Sequence, residues 1–283
     1  MDDNSTEGVL LKGNAANKAF ISRAPRLRTR LYQRSNHWFN RLPQTLSAVH
    51  QGCWLGFLSP DDVNDITLRH FGGSQFYTSQ EHNLGGFLEW EAPAINRYFR
   101  KGSRVLVAGA GAGREVLALR QAGFEAEGFE CSEHLVSASE SLFSQRGQTG
   151  GVVLCDPDSV PSGAAIYEGL VVGWGAYTHI PTRSRRVAFL QSLRQRALPH
   201  SPLLVSFFAR LNYEKLVYRT AMLCRSVFRA REDRVEVGDC LEWGRYVHRF
   251  TRADLEGELK SAGFETVDYE EQSTTPHAIG ISL

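Results

Sequence analysis

Three glycines at alternate positions, Gly109, Gly111 and Gly113, and a carboxylate, Glu130, about 20 residues after the first of them are the residues that point most directly to chemistry. Glycine lets the backbone turn sharply and lets a ligand approach where a Cβ would block it. A carboxylate at the end of the following strand accepts hydrogen bonds from hydroxyls, so turn and carboxylate together read as the seat of a ribose-bearing cofactor. A second cluster stands in GWGAYTHIP, Gly173 to Pro181. His179 is a side chain that titrates near neutrality and can take a proton from a reacting group. Tyr177 offers an aromatic face suited to a positive charge.

These side chains need elements to position them. Val105 to Ala108 are all apolar, as in a parallel strand covered on both faces. A helix over 114–121 follows, with Gly123 as a left-handed cap, then a strand ending at Glu130 and a helix over 133–143. Short apolar strands are predicted at 151–154, 169–173 and 202–208, with a helix over 183–196. Strands alternating with helices imply a parallel sheet with right-handed crossovers. Residues 210–249 break the period as an insertion, helical over 213–228 and strand-like over 234–249. Thr251 and Asp254 read as a capping box for the next helix. Strands over 265–269 and 277–282 close the chain as a hairpin.

The glycine turn discriminates between two cofactors. A dinucleotide turn, G-x-G-x-x-G or G-x-G-x-x-A, needs a small sixth residue to pack helix on strand. Started at Gly109 the pattern meets Arg114 there, and started at Gly111 it meets Val116. A nicotinamide-dependent dehydrogenase is therefore the disfavoured reading.

The segment Arg104 to Ser132 instead resembles the first motif of class I S-adenosylmethionine (SAM)-dependent methyltransferases, a hydrophobic strand followed by G-x-G-x-G. Gly128 to Ser132 (GFECS) resembles that family's acidic motif, usually G-x-D-x-S, with glutamate for aspartate. The ending is similar too: a helix, the turn Ala262-Gly263-Phe264 and two last strands. The resemblance covers about Phe99 to Leu283. It implies an α/β fold, a doubly wound seven-stranded, mostly parallel sheet with one antiparallel strand, here with a helical N-terminal extension and an inserted lid. It also implies SAM as cofactor, held by Gly109, Gly111, Gly113 and Glu130, with Glu130 on both ribose hydroxyls. Asp156 in CDPDS would accept from the adenine amino group, with Asp158 its competitor. Trp174 would pack near adenine. His179 would be the base or, alternatively, a cap of the next helix. Tyr177 would orient the acceptor or cover the sulfonium. Tyr77, in a patch with Phe76, Glu81, His82 and Asn83, would belong to a lid over SAM. The insertion, with Arg210, Tyr213, Tyr218, Trp243, Tyr246 and His248, would set substrate specificity.

Composition narrows the partners. The net charge of +1 names none. Five cysteines with no C-x-x-C pair argue against a disulfide framework and a zinc site, and predict a protein of the reducing cytoplasm. No apolar run reaches the ~18–20 residues of a membrane helix, and the start MDDNSTEG has no signal-peptide core. The first fifty residues are basic, with two lysines and six arginines against three acids. Arginines interleaved with apolar residues over 22–41 read as an amphipathic helix, or else as an arm for RNA. No N-P-P-Y or D-P-P-Y follows the fourth strand and no cysteine lies in that loop, which disfavours methylation of nucleic-acid bases.

The expectation is thus a disordered tail over 1–17, a helical extension over 18–98 and a SAM-binding domain over 99–283 with its insertion at 210–249. It would transfer a methyl group to oxygen, nitrogen or sulfur of a small molecule, without metal or membrane and with its oligomeric state open. A SAM-fold module bound to RNA through the basic arm is the rival from another class.

Overall fold

The computed structural model describes residues 27–228 and 235–283. The expected tail over 1–17 and the start of the basic segment lie outside the described residues. The chain divides into two compact units, Met1–Ser47 and Ala48–Leu283, so residues 48–98 fall in the same unit as the sheet. Ahead of the sheet come α1 (Leu27–Phe57), α2 (Pro60–Gly72), α3 (Gln75–Thr78), α4 (Gln80–Leu84) and α5 (Glu91–Tyr98). Strands and helices then alternate through β1 (Arg104–Ala108), α6 (Arg114–Gln121), β2 (Glu125–Glu130), α7 (Glu133–Gln145), β3 (Val152–Leu154), β4 (Gly169–Val172), α8 (Arg183–Arg194) and β5 (Pro202–Ser206). The alternation breaks at β6 (Phe208–Ala209), α9 (Glu214–Phe228), β7 (Asp239–Glu242) and β8 (Arg245–Phe250). It resumes with α10 (Arg252–Ser261), β9 (Phe264–Glu270) and β10 (His277–Ser282).

The main sheet has seven strands in the order β3-β2-β1-β4-β5-β10-β9. β10 runs antiparallel to both its neighbours, and the other pairings are parallel. The strand order reverses between β1 and β4. In open α/β sheets that is where a crevice opens beyond the carboxyl ends of the strands.

β1 shows how the sequence makes two cores. Successive side chains of a strand point to opposite faces. Val105 and Val107 pack with Ile95, Val116, Leu117 and Phe143, whereas Leu106 and Ala108 pack with Phe189, Leu190, Leu255 and Leu259. Helices therefore cover both faces, which is why β1 has no polar alternate.

The predicted capping box of Thr251 and Asp254 forms, and a second one opens α2. Ser59 N–H donates to Asp62 Oδ2 at 2.8 Å, and Asp62 N–H donates back to Ser59 Oγ at 3.2 Å. Thr251 and Asp254 repeat the exchange at 3.1 and 3.3 Å. Gly52 lies inside α1. A Cβ there would lie 2.5 Å from Val217 O, and one at Gly56 would lie 2.6 Å from Ala221 O. The two glycines let α9 lie directly against the α1 backbone, and the helix continues through them. The strand-like part of the insertion is a hairpin, β7 and β8, joined by β6 in a separate three-stranded sheet.

Candidate active site

The turn after β1 is built by its glycines, each for a different reason. Gly109 has φ +63°, and a Cβ on it would meet the Ala176 Cβ at 2.5 Å, so the loop after β4 packs directly on the turn. Gly111 has φ +55°, and a Cβ there would meet nothing within 4 Å. It is the glycine whose missing side chain leaves room in the cavity. Gly113 has φ +97°, and its Cβ would meet the Phe143 ring at 2.5 Å. Its role is to seat α7 against the start of α6, and it is not among the cavity-lining residues.

Glu130, at the end of β2, is buried and held by three backbone amides. Gly111 N–H donates to Oε2 at 3.0 Å, and Cys131 and Ser132 N–H donate to Oε1 at 2.8 and 3.0 Å. Each carboxylate oxygen has two acceptor positions, so the Cys131 and Ser132 amides fill Oε1 and Oε2 keeps one position for a further donor.

One cavity brings together most of the predicted residues: Gly109, Gly111, Glu130, Asp156, Trp174, Tyr77 and His179 all line it. Asp158 lines it as well, but is already engaged. It accepts from Asn64 Nδ2 at 2.9 Å and from Arg185 at 3.2 Å, and burial raises its pKa despite them. Asp156 makes no comparable bond and is the freer acceptor.

Tyr177 does not reach the cavity. Its ring is fully buried and stacks on Phe250 at 5.4 Å. Its hydroxyl donates to Glu258 Oε2 at 2.6 Å. Glu258 also accepts from Arg186 at 2.7 Å. Burial and the neighbouring Glu258 carboxylate hold the phenol well above its ordinary pKa. The residue expected to face the acceptor therefore anchors the loop from behind.

His179 ends the short 3-10 turn Ala176–His179. Its Nδ1–H donates to the Tyr246 carbonyl oxygen at 2.7 Å, which leaves Nε2 as the acceptor nitrogen. Burial lowers its pKa to about 4, so the ring is neutral across the physiological range. The alternative role of capping the next helix falls to Thr182, whose Oγ1 accepts from Arg185 N–H.

Three features were not read from the sequence. First, α2 forms a wall, with Asn64, Thr67, Leu68 and Phe71 lining the cavity at helical spacing. That i, i+3, i+4, i+7 stripe was the signal available for it. Second, none of the described residues of the insertion lines the cavity. The insertion supports the loop through Tyr246 instead of covering the ligand. Third, Arg114 is buried at the first position of α6 and bridges two carboxylates. It donates to Glu91 Oε1 and Oε2 and to Glu115 Oε1, each at 2.7 Å, and to Gly86 O at 3.0 Å. Burial opposes its charge, but the paired carboxylates outweigh that and raise its pKa. Burial leaves Glu91 with a raised pKa despite the pairing. Glu115 also accepts from Trp174 N–H at 3.3 Å and lines the cavity, so the ion cluster joins the glycine turn to the loop after β4.

Solved structures match this chain over most of its length. The fold is that of the class I SAM-dependent methyltransferases. A 1,6-didemethyltoxoflavin-N1-methyltransferase from Burkholderia thailandensis, solved with 1,6-didemethyltoxoflavin and S-adenosylhomocysteine, aligns at TM-score 0.57 and 15% identity over 80% of this chain and 91% of that one. A SAM-dependent methyltransferase from Methanosarcina mazei aligns at TM-score 0.54 and 19% identity over 68% and 97%. The CcbJ methyltransferase from Streptomyces caelestis aligns at 0.53 and 14% over 74% and 98%. No protein-family model and no curated protein matches the sequence. No helix among the described residues is long and apolar enough to cross a membrane.

Proposed function

We propose that this chain is a SAM-dependent methyltransferase acting on oxygen, nitrogen or sulfur of a small molecule. The observation that carries the reading is Glu130, fixed by the amides of Gly111, Cys131 and Ser132 on the wall of a cavity at the carboxyl ends of β1 and β2. The residues present fit SAM. Gly111 leaves space where a side chain would intrude, Glu130 offers the open position of Oε2 to a ribose hydroxyl, and Asp156 can accept from the adenine amino group. When bound, SAM supplies a methyl group on a sulfonium, open to displacement by a nucleophile.

The chain's own contribution is to place the acceptor and take its proton. Displacement needs in-line approach, which is chiefly positioning. Nε2 of His179 is the acceptor for the proton released from an O–H, N–H or S–H nucleophile, its tautomer set by the bond from Nδ1 to Tyr246.

Calorimetry with S-adenosylhomocysteine tests the reading. The native chain should bind it, and Glu130→Gln should weaken binding at least tenfold. No binding to the native chain, or equal affinity in the variant, would overturn the assignment. Screening metabolite pools for SAM consumption then identifies the acceptor.

A further inference from the structure

Five aromatic side chains follow one another as a collar along the cavity wall. His179 meets Phe71 edge-on with centroids 5.1 Å apart, and Phe71 meets Tyr77 at 5.1 Å. Tyr77 meets His82 at 5.8 Å, and His82 faces Trp174 at 6.4 Å. Trp174 and His179, the two ends of this arc, both belong to the loop after β4. All five line the cavity and all five retain solvent exposure, which puts the collar at the rim. Glu130 and Asp156 belong to the ends of other strands and are not part of it.

The collar's polar tips are open. The Tyr77 hydroxyl, the His82 ring nitrogens and the Trp174 indole N–H make no hydrogen bond within the described residues, and His179 uses only Nδ1. Among the described residues one guanidinium adjoins the collar, that of Arg245, 5.8 Å from the Phe71 ring centroid and outside the cavity lining. The cavity's Arg114 is bound to Glu91 and Glu115, and Glu115 adjoins Trp174. Carboxylates of Glu115, Glu130, Asp156 and Asp158 line the same space. A collar of π-faces with hydrogen-bonding edges stacks a flat ring, and the surrounding negative charge repels an anion while favouring a cation over the rings.

We propose that the acceptor is a planar heteroaromatic molecule, uncharged or cationic, seated in the collar of Phe71, Tyr77, His82, Trp174 and His179. This rests on the methyltransferase reading and narrows its substrate. Anionic acceptors and flexible saturated ones are the classes the collar rejects.

The test is calorimetry on the full chain saturated with S-adenosylhomocysteine, using three probes of one skeleton: quinoline, its 2-carboxylate and decahydroquinoline. Quinoline should bind saturably, with the carboxylate and the saturated ring at least tenfold weaker. Phe71→Leu should weaken quinoline about tenfold while S-adenosylhomocysteine affinity stays within twofold. The inference is overturned if quinoline fails to bind the loaded protein, if either comparison probe binds as well, or if Phe71→Leu binds quinoline like the native chain. Failure of S-adenosylhomocysteine itself to bind would instead overturn the methyltransferase reading, so the two failures are distinguishable.

Discussion

The Nδ1 of His179 lies 2.7 Å from the carbonyl oxygen of Tyr246, tying the loop after β4 to strand β8 of the insertion. The bond sets the histidine tautomer from outside the cavity. Removing the ring should therefore damage transfer without damaging cofactor binding. His179→Asn should lower kcat by about 10²-fold or more, the range of a lost general base, with S-adenosylhomocysteine affinity within twofold. Steady-state kinetics beside calorimetry separates the two, and unchanged kcat would remove His179 from the reaction.

The same ring makes stability depend on pH. Its folded pKa, about 4, lies below the ordinary 6.5, so the unfolded chain takes up the proton first as pH falls. The folded state keeps its full stability above pH 6.5 and loses it progressively toward pH 4, by up to about 3 kcal/mol. Burial lowers His70 and His82 in the same direction. Chemical denaturation at pH 7.5 and pH 5 should show the loss, and His179→Asn should reduce it. A pH-independent midpoint would contradict the burial of these rings.

Arg114 is the cation between Glu91 and Glu115, its side chain only 3% exposed. Arg114→Met would strand two carboxylates in the interior, and breaking such a pair costs about 3–5 kcal/mol. The denaturation midpoint should drop accordingly. Adding Glu91→Gln should restore part of it, because the stranded charge is then removed. A double variant no more stable than the single one would mean the loss comes from packing alone.

Gly111 and Gly113 stand two residues apart, and their alanine variants should fail in different ways. Gly113→Ala forces a Cβ to within 2.5 Å of Phe143 and should destabilise the fold, by about 1–3 kcal/mol as in an overpacked core. Gly111→Ala meets no atom within 4 Å, so its stability cost is the smaller left-handed backbone penalty, about 1 kcal/mol. It should nonetheless weaken S-adenosylhomocysteine more than Gly113→Ala does. The reverse ranking of ligand affinities would misplace the cavity.

Tyr177→Phe removes a hydroxyl that donates to Glu258 and touches no part of the cavity. The variant should keep kcat within about threefold while losing roughly 1–2 kcal/mol of stability, the usual cost of a missing hydrogen bond at a charged group. A hundredfold fall in kcat with native stability would return Tyr177 to the chemistry.

The parts legible in the sequence were those written locally. Glycine turns, capping boxes and the run Val105–Ala108 depend on near neighbours in the chain, and they gave the strands, α6 and Glu130. That Asp156 and His179 line the cavity was legible through their place after a strand. Gly113 and Tyr177 were misread because spacing cannot distinguish a residue facing a ligand from one facing Phe143 or Glu258. The pairing of Arg114 with Glu91 joins residues 23 apart, and the wall supplied by α2 depends on how that helix packs. Neither leaves a mark in the local pattern beyond the helical spacing of Asn64, Thr67, Leu68 and Phe71. The insertion looked like a cover because long insertions commonly are; its hairpin turns its backbone to the loop instead.

The place of β10 bears on how the protein is made. Residues 277–282 fill the gap between β5 and β9 and hydrogen-bond to both. During synthesis, β5 must wait with its edge unpaired until some seventy further residues have emerged, at a rate of about 5–20 residues per second. For those seconds the nascent chain carries an open strand edge made of Leu203, Leu204 and Val205, the kind of surface that chaperones shield. Completion of the sheet is therefore an event after translation of its last strand, and deletions in that strand should produce insoluble protein, not merely a weakened enzyme.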